Sequence, residues 1–269
     1  MKRGLSKGSK SKTLSITNAV LLYQKIIKFD SELLILRHYL MNKFITAITN
    51  LDFLSVSALL EKDSKWVRWS EKDGKNALHF LCAVPVAKTL AKSEASLQIL
   101  KLLLKKGMDI NSVHKISEKN GFFPATPLWY GYTRGRNERL FKYLLKNGAD
   151  PNHCMFAIAW YDDPTAATLF KKHGAQITDA AGKDTPFLAA FHWGKKMTEW
   201  FLKNGADVNF TDEYGNTALF YAVKRKRELT WIKLLLKFGA DINKENKEGL
   251  SPKKLAERSR QKSILKFIG

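Results

Sequence analysis

Thr217-Ala218-Leu219-Phe220-Tyr221-Ala222-Val223, a charged run Lys224-Arg225-Lys226-Arg227, Trp231-Ile232-Lys233-Leu234-Leu235-Leu236 and Gly239-Ala240-Asp241-Ile242-Asn243 together make one unit. Leu219, Ala222 and Val223 recur at helical spacing, pause over the charged run and resume at Trp231. This pattern predicts two short amphipathic helices joined by a tight turn. Gly239 follows the second apolar run, where a left-handed helix end suits a residue without a side chain. One such pair cannot bury its own apolar face, so the reading requires neighbours of the same kind.

The chain supplies them. The closing tag recurs as Gly107-Met108-Asp109-Ile110-Asn111, Gly148-Ala149-Asp150-Pro151-Asn152, a weaker Gly174-Ala175-Gln176-Ile177-Thr178, and Gly205-Ala206-Asp207-Val208-Asn209. The glycines are spaced 41, 26, 31 and 34 residues apart up to Gly239. An opening tag recurs as Asn76-Ala77-Leu78-His79, Thr126-Pro127-Leu128-Trp129, Thr185-Pro186-Phe187-Leu188, Thr217-Ala218-Leu219-Phe220 and Ser251-Pro252. A Thr or Ser followed by Pro or Ala fits a side-chain cap and the first helical turn.

These tags resemble the ankyrin repeat family, whose unit is a β-turn finger and two antiparallel helices of about 33 residues. The resemblance implies an all-α solenoid over residues 42–269, with about six repeats and a terminal capping unit. Two segments depart from the pattern: residues 83–96 lengthen one repeat, and the unit at 155–181 lacks a readable finger and a Thr-Pro opening. The resemblance also gives His79 a structural role, a hydrogen-bonded bridge to the adjacent loop.

Upstream, residues 1–13 carry Lys2, Arg3, Lys7, Lys10 and Lys12 with no acid and read as a disordered basic tail. Ile16, Ala19, Val20, Tyr23, Ile26 and Ile27 keep helical spacing, and Asp30-Ser31 precedes Leu33, Leu36 and Leu40. Residues 14–41 therefore read as a helical cap over the first repeat's apolar flank. Trp66 and Trp69 are expected in the first finger, folded back or meeting a ligand. A long finger is expected from Ser112 to Phe123. No C-terminal effector domain is expected after the last unit, whose Lys253, Lys254, Arg258, Arg260 and Lys262 give it a polar outer face.

Of 269 residues, 46 are Lys or Arg and 25 Asp or Glu, a formal charge of +21. Such a field attracts anionic surfaces. Residues 224–269 alone hold 14 Lys and Arg against 5 Asp and Glu. The two cysteines, Cys82 and Cys154, read as buried thiols in a reducing compartment. No apolar run is long enough for a bilayer, and no secretory signal is expected. The reading is cytoplasmic, with the nucleus or a host cell as alternatives.

Chemistry is hard to find. Lys183 after Gly182 lacks the glycine spacing of a phosphate loop. His153, Cys154 and His173 lack metal-ligand spacing. No enzyme, cofactor or metal is expected. By the family register, Phe80, Tyr130, Trp193 and Tyr221 face a concave groove, with Arg134, Lys224 and Arg225 nearby and Trp160 joining them. Aromatics and Arg supply most binding hot spots. The expected function is a monomeric scaffold that binds another protein with an acidic surface through this groove and the fingers. Lys224-Arg225-Lys226-Arg227 is expected to be a solvated turn. The alternatives are binding of nucleic acid or an anionic membrane, or a bacterial effector acting on host proteins.

Overall fold

The computed structural model describes residues 39–86, 89–119, 121–179 and 182–268. The predicted basic tail and nearly all of the predicted cap lie outside these residues. The first described helix, α1, covers residues 39–49, so residues 39–41 join the first repeat. The remaining helices are α2 (Phe53–Lys62), α3 (Ala77–Ala83), α4 (Leu90–Lys105), α5 (Pro127–Thr133), α6 (Glu138–Lys146), α7 (Met155–Trp160) and α8 (Pro164–Lys172). After them come α9 (Thr185–Trp193), α10 (Lys195–Lys203), α11 (Ala218–Lys224), α12 (Leu229–Lys237), α13 (Pro252–Arg258) and α14 (Lys262–Ile268).

The helices pair in sequence, and each pair leans on the next. First helices contact first helices, as α3 does α5, α7 does α9 and α11 does α13. Second helices do the same, α4 against α6 and α12 against α14. Leu78, Leu103, Leu128, Leu144, Ile158, Phe170, Phe187, Phe201, Leu219 and Leu235 are all fully buried. They join one continuous apolar core from Phe44 to Ile264. Burying each such side chain is worth about 1.5–3 kcal/mol, which outweighs the weak propensity of seven-residue helices.

The opening tags act as caps. Thr126 accepts from the Trp129 N–H, Thr217 from that of Phe220 and Ser251 from that of Lys254. Thr185 is the exception. It lies inside α9, and its hydroxyl donates to Asp179 Oδ2 at 2.7 Å instead of capping the helix. Gly239 has φ of 84°, as its place after α12 requires.

The two departures are resolved differently. In the lengthened repeat, α4 grows to 16 residues, beginning at Leu90 after a loop containing Pro85. The long finger is an antiparallel hairpin of β1 (His114–Glu118) and β2 (Gly121–Ala125), so the all-helical pattern is interrupted there. The irregular unit keeps both helices, with Asp163 capping α8 ahead of Pro164. Trp66 does not project from a finger. It sits in a 3-10 turn, Ser64–Arg68, is 8% exposed and stacks on Phe44 with ring centroids 6.2 Å apart.

Candidate functional site

The C-terminal ends of two first helices carry exposed tryptophans. Trp160 ends α7 and Trp193 ends α9, and their rings meet edge-to-face with centroids 5.0 Å apart. They remain 61% and 40% exposed. Phe156, one helical turn before Trp160, is also exposed, although its apolar periodicity reads as core. Helical spacing alone cannot tell which stripe of a six-residue helix a neighbour covers. Tyr161 extends the patch and carries the Arg136 guanidinium 4.3 Å from its ring centroid.

Next along the row lies a cluster of cations. Arg225 donates to Nδ1 of His192 at 2.8 Å, and Arg227 donates to the His192 carbonyl at 3.4 Å. A guanidinium has no acceptor, so Nδ1 of His192 must accept, and the imidazole is neutral with its proton on Nε2. Burial first, then the nearby Arg225 and Arg227 charges, hold His192 below its ordinary value. Arg227 is further fixed over the rings of Trp231 and Phe191, 4.6 and 5.5 Å from their centroids. The run at 224–227 is thus only partly the solvated turn its charge suggests. Two of its side chains fold back onto the preceding repeat. Tyr221 stacks under Arg225 and donates to Asp212 Oδ2 at 2.6 Å.

Two clefts flank this cluster. One of about 560 Å³ is lined by Lys183, Thr185, Leu188, His192, Phe210 and Asp212. Another of about 280 Å³ brings Tyr221 and Lys224 together with Tyr214 and Lys247. Arg134 is exposed at the end of α5. The structure therefore gathers Trp160, Trp193, Tyr221, Lys224 and Arg225 along successive first helices.

Three other expected residues are buried or half-buried. Tyr130 is 7% exposed, and its hydroxyl meets Nδ1 of His114 at 2.7 Å, while Nε2 of His114 meets Asp73 at 3.0 Å. Its polar handle is consumed within the fold. Phe80 is half-buried under Lys75, and Trp69 is half-buried beside the 3-10 turn. His79 makes the bridge expected of it. Its Nδ1 accepts from the Asn76 N–H at 3.1 Å, and its Nε2 donates to the carbonyls of Ser112 and Ala125 at 3.1 and 3.2 Å. Among the described residues, no three His, Cys, Asp or Glu side chains group as a metal would require.

A family model for ankyrin repeats in three copies matches residues 154–246 and 186–268. An ankyrin repeat protein of Rickettsia bellii (strain RML369-C) is 32% identical over 111 residues, covering 40% of this chain and 45% of that protein. One from fowlpox virus (strain NVSL) is 28% identical over 176 residues, covering 64% and 43%. Residues 154–268 of the chain therefore match ankyrin repeats in sequence. A second fowlpox virus ankyrin repeat protein is 44% identical over 52 residues, 19% of this chain and 10% of that one. The chain thus spans less than half the length of each of these relatives. Among solved structures, the ankyrin repeat domain of human ASB11 aligns with a TM-score of 0.60 at 20% identity, covering 83% of this chain and 96% of that domain. The ankyrin repeat domain of Bcl-3, a member of the IkappaB family, aligns with a TM-score of 0.63 at 18% identity, covering 83% and 97%. These likenesses establish the fold. Ankyrin repeats generally serve as scaffolds for protein–protein contact and not as enzymes, and among the described residues no helix is long and apolar enough to cross a membrane.

Proposed function

We propose that this ankyrin repeat protein is a monomeric, non-enzymatic scaffold that binds another protein of acidic surface along its first helices and fingers. The observation that carries the reading is the edge-to-face pair of exposed Trp160 and Trp193, on a row of first helices whose ends also expose Arg134, Lys224 and Arg225. Aromatic and Arg side chains contribute most per residue when a partner excludes water from them. The formal charge of +21 steers an acidic partner and repels a basic one. We place the protein in the cytoplasm, in keeping with two buried free thiols.

The test is affinity capture at two salt concentrations, with and without nuclease, comparing wild type with Arg134→Glu, Lys224→Glu and Trp193→Ala. The reading expects nuclease-resistant capture of acidic polypeptides that falls in all three variants. Capture unchanged in the variants refutes the surface. Capture abolished by nuclease, with a steep salt dependence, assigns the charge to nucleic acid instead.

A further inference from the structure

Arg225 and Arg227 are held close to each other by a shared partner, since both donate to His192. Among the described residues neither has a carboxylate within ion-pair distance. Asp212, whose charge acts on His192, already accepts from Tyr221 and from the Tyr214 and Asn216 N–H groups. Two like charges that close repel, and an incoming anion between them relieves that repulsion while finding donors already oriented. The carbonyl that receives Arg227 belongs to the peptide bond joining His192 to Trp193. Arg227 thus reaches the same helix end that carries Trp193, whose ring meets Trp160.

We propose that Arg225, Arg227, Trp160 and Trp193 form a single recognition site for a short acidic segment of a partner protein. The guanidinium pair takes an Asp or Glu carboxylate, and the tryptophans take a large apolar side chain a few residues away. This rests on the protein-binding reading above and names its chemistry. Carboxylates on the same row favour a peptide over a nucleic acid strand. Asp162, at the turn between α7 and α8, accepts from the Met197 N–H beside Trp193, and Asp163 accepts from Tyr132. A continuous phosphate backbone crossing this edge would meet those negative groups, whereas a peptide presents its charge at one point.

The experiment is fluorescence anisotropy on the full chain with labelled eight-residue peptide pools. One pool fixes Trp or Leu near two aspartates, a second replaces the aspartates by Asn, and a third replaces the apolar residue by Ala. Labelled oligothymidylate is the polyanion control. The first pool binds best, and Arg225→Gln, Arg227→Gln and Trp160→Ala each weaken it by about five- to ten-fold. Arg227→Lys, which keeps the charge, also weakens it because an ammonium lacks the planar fork, and melting curves confirm each fold. Binding indifferent to these substitutions or to Asp→Asn exchange overturns the site, as does failure of every pool to bind. Binding that survives them but falls with Arg134→Glu and Lys224→Glu removes this site and leaves the broader protein-binding surface standing. Tighter binding of oligothymidylate removes both.

Discussion

Asn209 spans two repeats: its side-chain oxygen accepts from the Asp241 N–H at 2.7 Å, and its amide donates to the Gly239 carbonyl at 3.0 Å. Asn111 does the same to Asp150 and Gly148 at 2.8 and 3.2 Å. The final Asn of these two closing tags thus satisfies backbone groups of the following helix end. Asn209→Ala and Asn111→Ala are each expected to cost about 1 kcal/mol, because one hydrogen-bonding side chain leaves two backbone groups to water. The two losses should add, as the sites share no partner. Asn243→Ala should be nearly neutral, since among the described residues its side chain has no such contact. Thermal melting of the three variants decides this, and equal losses at all three positions would refute the ladder.

His79 makes stability depend on pH. Burial pushes it down to about 4, with the Ala125 and Ser112 carbonyls acting the other way. In the unfolded chain a His takes its proton near 6.5. Stability is therefore complete above that value and declines as pH falls from 6.5 toward 4, because only the unfolded chain binds the proton. The full shift corresponds to about 3 kcal/mol. His79→Gln should flatten the melting temperature between pH 6.5 and 4.5, leaving a smaller slope from His192, which is shifted the same way. An unchanged slope in the variant would exclude His79 as its source.

Gly135 is required for close approach and not for its backbone angle. A Cβ there would lie 2.2 Å from the Cys82 carbonyl oxygen and 3.2 Å from that of Val84. Both are backbone atoms, so the end of α3 must shift. Gly135→Ala should cost about 2–4 kcal/mol. Gly107, with φ of 91° and open space around it, should lose only about 1 kcal/mol as Ala. Denaturation of the two variants ranks them, and the reverse order would contradict the packing.

Cys82 and Cys154 are both free and buried, and burial pushes both thiols far above the ordinary cysteine value. A thiol is nucleophilic only as thiolate. Neither should react with a disulfide reagent in native buffer over minutes, and both should react at once in denaturant. Fast labelling of either in the native state would show that the α3–α5 or α7–α9 packing opens.

The repeating tags determined the stacked helix pairs and the glycine helix ends, and the family resemblance they carry implied the bridge made by His79. These are local requirements, a cap, a turn and a buried stripe, that each repeat states in its own residues. Sequence could not decide which aromatics stay free. Trp66 and Trp160 look alike in the chain, yet Trp66 stacks on Phe44 and is buried while Trp160 meets Trp193 edge-to-face and stays exposed. Tyr130 keeps the register of a contact residue, but its hydroxyl is claimed by His114 from a hairpin 16 positions upstream. Likewise, nothing in Lys224-Arg225-Lys226-Arg227 says that two of its four cations close on His192 of the previous repeat. Exposure and charge pairing depend on neighbours distant in sequence, and only the tertiary packing of one repeat on another assigns them.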